Sequence, residues 1–333
     1  MRDINKIIGT IALSNLKGIG PAFVKKVMTE STFSYTNYFN EIKELTEKNN
    51  KFFPDENILE VIEIAKDIVY NCNEEGITII NLTSDDYPIS LKEIKDPPSV
   101  IYCKGNLELL YKKTICIIGT REPNENGIKI AQRLGSYFAE NNWAICNGLS
   151  EGIDNFSIKL NEEIHKNVIG ILAGGLNYNT RKTLLNKTAI NAEKTLESGG
   201  LLISEMPLDK KEDTFTVVKS CRIQAGISHG LILIQSSLDG GSKFATKAFC
   251  ETKRPIGIIK PFQSDIELKS YNANKEIISN SLRGLSKFVD VKEDKILTSE
   301  ILTIKSKEDY QQLENAINLK RKYNLQSNTN LFG

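Results

Sequence analysis

The sequence has little of what most often carries enzyme chemistry. It holds two histidines, His165 and His229, one tryptophan, Trp143, and three methionines among 333 residues. Two histidines are scant material for a zinc site or a histidine-centred triad, and no metal ion or cofactor is expected. The six cysteines, Cys72, Cys103, Cys116, Cys146, Cys221 and Cys250, form no C-x-x-C pair. Reduced thiols in the core of a cytosolic protein are therefore expected, not a disulfide framework. No signal-peptide pattern is visible and no apolar run nears membrane length, so the expectation is a cytoplasmic protein without membrane contact. Net charge is nearly absent, with Lys+Arg 43 against Asp+Glu 42, so a nucleic-acid partner would need a local basic patch. Two fingerprints are missing as well. No G-x-G-x-x-G follows the first strand-like run of the α/β region and no G-x-x-x-x-G-K-[ST] occurs, which argues against ordinary dinucleotide dehydrogenases and P-loop ATPases.

What is present is an ordinary globular composition, 40% hydrophobic and 26% charged, in a chain long enough for two domains. Residues 1–80 read as a small helical domain, because IIGTIALSNL, AFVKKVMTE and ENILEVIEIAKDIVYNC place apolar residues three and four apart. Between its first two helices, LKGIGPAF offers Gly18 and Gly20 for a tight turn and Pro21 for a helix start. Residues 81–111 read as a connector in which short strands alternate with the turn signals DDYP and DPP. From residue 112 to 294 the pattern changes. TICIIG, WAICNG, NVIGILAGG, GLLISE, LILIQ and PIGIIK are short β-rich runs separated by amphipathic helical segments. That alternation predicts a Rossmann-like, doubly wound, mostly parallel α/β sheet of about six strands. Residues 295–333 read as a polar helix followed by a flexible tail.

In such a sheet the segments that follow the strands converge on one edge, where ligands bind. They are Gly119-Thr120-Arg121, Gly148 to Asp154 with Ser150 and Gly152, Gly174-Gly175, Ser204-Glu205, and Gly240-Gly241-Ser242. Small residues would let a ligand approach the backbone, and helix N-termini offer N–H groups to an anion. Arg121 adds a planar, permanently charged fork suited to phosphate. The pattern predicts a phosphate-bearing ligand. The plain alternative at each position alone is a tight strand-to-helix turn. No nucleophile–base pair stands out, since Ser150, Ser204 and Asp154 also suit helix caps.

Taken in order, YPISLKEIKDPPSVIYCKGN, IIGTR, GLSEGID, GGL, SEMP, RIQAGIS and GGSKFATKAFCETKRP resemble the DNA-processing protein A family (DprA, also called Smf). The likeness runs from Tyr87-Pro88 to about Asp294. It implies a Rossmann-like core that binds single-stranded DNA without catalysis. It also implies a homodimer that helps load a RecA-type recombinase in natural transformation or related recombination. Arg121 matches a DNA-contacting arginine of the family, and Arg222 matches the second arginine of its R-N-R segment. Lys182 and Lys187 lie where relatives carry a DNA-binding lysine, and either could correspond. Tyr178 and Phe215 are candidates for base stacking. Some positions depart from the family: Ser220-Cys221-Arg222 lacks one arginine, Ser157-Ile158 replaces Ala-His, Asn177 and Gln235 stand for acidic residues, and no winged-helix segment is recognisable.

Three further features carry expectations. LKGIGPAF resembles a helix-hairpin-helix turn, so Gly18, Gly20, Lys25 and Lys26 could hold a DNA phosphate, the alternative being a plain packing hairpin. The tail from Gln326 to Phe332 resembles a sliding-clamp docking peptide, with Thr329 in place of leucine. Asp239-Gly240-Gly241 through Thr246 and Glu251 loosely resembles the motif of nucleoside-monophosphate phosphoribohydrolases. A nucleotide-binding sensor or such a hydrolase is therefore the competing expectation. His165, His229 and Trp143 are expected to be capping, surface or core residues.

Overall fold

Apolar spacing of three and four residues winds the first part of the chain into helices. The structure, a computed structural model, describes residues 3–30 and 37–329. Its N-terminal helices are α1 (Ile4–Asn15), α2 (Pro21–Glu30), α3 (Tyr38–Lys48) and α4 (Asp55–Glu74). Asp3 caps α1 by accepting the Asn5 and Lys6 N–H groups at 3.0 and 3.2 Å, and Asn37 accepts the Asn40 N–H of α3. Ile11, Val24, Ile42, Ile58 and Ile62 bury against one another, and the same cluster continues into the sheet through Ile79, Val100 and Tyr102. Each such aliphatic side chain contributes ~1.5–3 kcal/mol on full burial. The helical part and the sheet thus share one core.

The sheet begins with β1 (Thr78–Asn81), a short helix α5 (Ile89–Lys92) and β2 (Val100–Gly105). It continues through β3 (Thr114–Ile118), α6 (Glu125–Glu140), β4 (Ala144–Asn147) and α7 (Ile153–Ser157). A two-stranded hairpin, β5 (Lys159–Leu160) with β6 (Glu163–Ile164), precedes β7 (Val168–Leu172). Then come α8 (Tyr178–Arg181), α9 (Asn186–Glu197), β8 (Leu201–Ser204) and α10 (Thr214–Ile227). The chain closes with β9 (Gly230–Leu233), α11 (Ser242–Cys250), β10 (Ile256–Ile259), α12 (Asn272–Val289), β11 (Ile301–Ile304) and α13 (Glu308–Thr329).

The strand order is β1-β2-β8-β7-β4-β3-β9-β10-β11. All pairs from β8 to β11 are parallel, while β1–β2 and β2–β8 are antiparallel. The expected α/β class and doubly wound core are present, and the six apolar runs are six neighbouring parallel strands. Every residue of β3, β4, β7, β8, β9 and β10 is buried, as strands covered by helices on both faces require.

Two boundaries differ from the sequence expectation. The stretch 81–111 is not a separate connector: Val100–Cys103 are buried, and β2 inserts beside β8 as part of the sheet. The expected break at residue 80 falls inside β1. At the other edge, β11 lies beyond residue 294 yet pairs in register with β10. Leu313 and Ile317 of α13 pack close to Gly257 and Gly230, where a side chain would collide with them. Helix α13 also runs into the stretch expected as a tail, while Leu331 and Phe332 of the docking-like peptide lie outside the described residues. All six cysteines are buried as free thiols, and Trp143 is a core residue.

From β3 the chain steps through β4, β7 and β8 in one direction. It then crosses back by α10 to place β9 on the other side of β3. The reversal between β3 and β9 is the topological switch point, and the crevice beyond their carboxyl ends is where such folds bind ligands.

Candidate functional site

The crevice is built on two interlocked loops. Thr120 donates its N–H to Gln235 O at 2.7 Å, and Ile153 donates to Thr120 O at 3.1 Å. Gly152 has φ +76°, and a Cβ there would stand 2.3 Å from Thr120 O, so only glycine lets the two turns touch. Gly119 is equally enclosed, by Ile153 and Gln235 O. Gly174 abuts Thr183 O, and Gly175 abuts Pro207 O and Leu208 O. Gly152, Gly174 and Gly175 therefore serve close backbone-to-backbone packing, and Gly119 makes room chiefly for the Ile153 side chain. Gly148 and Gly241 are the looser positions: a Cβ would meet nothing nearer than 3.4 Å at Gly148 and nothing within 4 Å at Gly241.

The polar residues of the 147–154 loop mostly satisfy one another. Asn147 accepts the Leu149 N–H at 2.9 Å and donates to Asp154 O and Ser157 Oγ. Ser157 occupies the place of the family alanine, and its hydroxyl is satisfied inside this network. Ser150 Oγ donates to Asp154 Oδ2 at 2.9 Å. Burial pushes the Asp154 carboxyl up to about 6, against the opposing pull of the Ser150 hydrogen bonds and the Arg121 charge. Arg121 itself is exposed, and among the described residues it makes no ion pair or hydrogen bond. A permanent cation thus lies in the loop after β3 with no internal hydrogen-bond partner among the described residues.

Arg222 has the opposite environment. Its Nη1 and Nη2 donate to the two Glu205 oxygens at 2.8 and 2.6 Å, and its Nε donates to Asp96 at 3.1 Å. Burial works against the guanidinium charge, but the Glu205 hydrogen bonds and the two carboxylates outweigh it and hold the pKa above its usual value. Lys219 adds a contact to Glu205 at 3.2 Å. Ser204 donates to Gly174 O at 2.8 Å and accepts the Met206 N–H at 3.0 Å. Ser204, Glu205 and Arg222 therefore form an internal brace joining β8, α10 and the DPP turn, not an open phosphate seat. Asp96 was missed in the sequence because a turn aspartate carries no periodic signal.

The remaining expected residues divide in the same way. Tyr178 is buried, with its hydroxyl donating to Glu193 Oε2 at 3.1 Å, so its ring offers no stacking face, a correction to that expectation. Phe215 is 72% exposed in the first turn of α10, beside an Asp213–Thr216 capping box. Lys182 and Lys187 are both exposed, the first in a left-handed conformation at the end of α8 and the second in the first turn of α9. Gln235 ties α6 to the segment before α12, accepting the Asn124 N–H at 3.3 Å and donating to Ser270 at 2.7 Å. Ser242 shares a 2.6 Å hydrogen bond with Ser236, beside Gly240. Thr246 lies in the second turn of α11 with its hydroxyl on Ser242 O, and Glu251 caps the far end of that helix.

The hairpin stands close by. Gly18 takes φ +84° in the turn, and Lys51 Nζ donates to Gly18 O at 3.3 Å. Lys26 donates to Asn49 Oδ1 at 3.4 Å, while Lys25 is half-buried. Ile19, Gly20 and Pro21 face Glu205, Met206 and Lys219 across a cleft of about 240 Å³. His229 Nδ1 accepts the Thr114 N–H at 3.1 Å, and His165 Nε2 is buried away from the edge without a hydrogen-bond partner. Among the described residues no group of three metal-ligating side chains occurs, and no helix is long and apolar enough to cross a membrane.

A family model described as DNA recombination-mediator protein A matches residues 78–294. The chain is 30% identical over 184 residues to DNA processing protein DprA of Bacillus subtilis (strain 168), covering 55% of this chain and 60% of that protein. It is 27% identical over 178 residues to Protein Smf of Escherichia coli (strain K12), covering 54% of this chain and 46% of that protein. The matches thus span about half of these curated relatives' length. Among solved structures, DNA processing protein A from Streptococcus pneumoniae is similar with a TM-score of 0.67 at 20% identity, covering 93% of this chain and 97% of that one. A structure of DNA processing protein A from Helicobacter pylori, described for its single-stranded DNA binding mode, is similar with a TM-score of 0.52 at 20% identity. It covers 64% of this chain and 94% of that one. At this identity both likenesses speak to the fold.

Proposed function

The chain belongs to the DNA recombination-mediator protein A family, and from that premise we propose that it binds single-stranded DNA at the switch-point edge, without catalysis. The observation that carries this reading is Arg121, an exposed guanidinium without an internal partner at the β3 end. Around it the edge offers the elements a single strand needs: cations for phosphates and an exposed aromatic for a base. Arg121 takes one phosphate, the open backbone at Gly241-Ser242 takes another, and Lys182 or Lys187 extends the track along the β7 side. Phe215 supplies the stacking ring. The hairpin at Gly18 and Gly20 adds a backbone contact across the cleft.

In this reading the protein acts in DNA processing for homologous recombination. It works as a homodimer that hands the strand to a RecA-type recombinase, and the tail peptide offers a separate contact to a sliding clamp. A strand whose bases are paired cannot stack on protruding rings, so selectivity for single strands follows from the chemistry of the edge. Labelled oligo-dT and a duplex of the same length, titrated at matched salt, test the proposal. Tight binding of the single strand and at least about tenfold weaker binding of the duplex is expected. Equal affinity for both, or release of a base from a nucleoside monophosphate, would overturn it.

A further inference from the structure

Two exposed rings on the other side of the switch point are not among the candidate site residues named above. Phe244 is 38% exposed in the first turn of α11, and Phe262 is 48% exposed in the segment after β10. Exposed apolar side chains scattered singly mean little. These two follow neighbouring parallel strands, β9 and β10, whose ends lie ~5 Å apart on the ligand-binding edge. The Lys243 ammonium lies 5.3 Å from the centre of the Phe244 ring. A cation and a ring face at one place match the two halves of a nucleotide.

The segments that carry the rings are tied down: Ser242, at the start of the Phe244 helix, shares a 2.6 Å hydrogen bond with Ser236, and the Phe262 turn is held to the helix after Arg121. Buried Asn274 accepts the Ser236 N–H at 3.0 Å and donates to Ile234 O and Ile259 O, both at 3.0 Å, which pins the ends of β9 and β10 together. Asn126, in the helix that starts just after Arg121, donates to Asp265 Oδ2 at 2.9 Å. Asp265 follows Phe262 in one short turn and is itself buried. Gln235 closes the same circuit between Asn124 and Ser270. Rings on such a frame lose little freedom when a base lands on them.

We propose that Phe244 and Phe262 form a second base-stacking platform for single-stranded DNA, on the β9–β10 side of the switch point, continuing the strand seated at Arg121. The proposal rests on the single-strand reading above. It adds nucleotides to one end of the bound segment, so it acts on longer oligonucleotides and spares the shortest ones.

The test uses the full chain with Phe244→Ala and Phe262→Ala combined, titrated with oligo-dT of about four and about twelve nucleotides. The double variant is expected to lose at least about tenfold in affinity for the longer oligonucleotide and less than about twofold for the shorter. Phe262→Tyr is expected to keep the parent affinity, which separates stacking from folding. In a Phe262→Trp protein, the longer oligonucleotide is expected to quench fluorescence beyond the change seen from buried Trp143 in the parent. Parent-like binding of both lengths by the double variant, or no added quenching in the Phe262→Trp protein once the complex has formed, overturns the platform while leaving the Arg121 site standing. If the parent binds no oligo-dT, the single-strand reading fails and the platform fails with it.

Discussion

Arg121 and Arg222 stand on the same edge of one sheet, and their sequence motifs imply the same work. Their surroundings separate them. Arg121 follows β3, where the neighbouring acid is Asp154, buried and engaged with Ser150. Arg222 lies on α10 between two carboxylates that take up its fork, Glu205 on both amino groups and Asp96 on Nε. One guanidinium is available to an external anion, and the other is used to hold β8, α10 and the DPP turn together. An arginine can seat an external phosphate only where its fork is not already bonded within the fold.

The largest effect is expected on the structural side. Glu205→Ala leaves a mostly buried guanidinium with only Asp96 and the Lys219 carbonyl as partners, and should cost ~3 kcal/mol of stability, at the low end for a broken buried pair. Urea unfolding measures this, and an unchanged midpoint would erase the contrast between the two arginines. Arg121→Ala is expected to leave stability within ~0.5 kcal/mol, because the side chain is exposed. It should nevertheless weaken oligo-dT binding by ~1.5–3 kcal/mol, the range for a charged hydrogen bond. Arg222→Ala, compared at equal folded fraction, should weaken binding by much less.

Asp154 sharpens the same comparison through pH. Its folded value of about 6 lies above the ordinary value of 3.8, so the folded protein holds this proton more tightly than the unfolded chain. The stability it contributes is fully present below the ordinary value and is lost as pH rises through about 6. Protonation also removes the negative charge that faces Arg121. Oligo-dT affinity is therefore expected to rise a few-fold as pH falls from ~7 to ~5.5, and Asp154→Asn should flatten that profile. A flat profile in the parent would contradict the coupling. The smallest effect is expected at the exposed lysines: Lys187→Ala should weaken binding by under ~1 kcal/mol and lower its salt dependence slightly.

The sequence made much of the fold legible, because strand burial on both faces and helical periodicity are written in consecutive residues. Six runs from TICIIG to PIGIIK became six adjacent parallel strands. The edges were harder to read. β1, β2 and β11 are short strands whose membership in the sheet depends on distant partners, such as Tyr102 opposite Ser204. Within the site, Gly119 and Arg121 could be placed at a strand end from their spacing. That Arg222 would be captured could not be read, since Asp96 is 126 residues away in the chain. Nor could the burial of Tyr178, because a one-turn helix such as α8 is too short to show by periodicity which way its aromatic faces.

If Arg121 is a phosphate seat, the salt dependence of oligo-dT binding reports it. Parent and Arg121→Ala proteins would be titrated with one oligo-dT across a range of salt concentrations. The parent's log affinity is expected to fall linearly with log salt and the variant's slope to be shallower by ~0.7, the loss of one phosphate contact on a single strand. Identical slopes and identical affinities would contradict it.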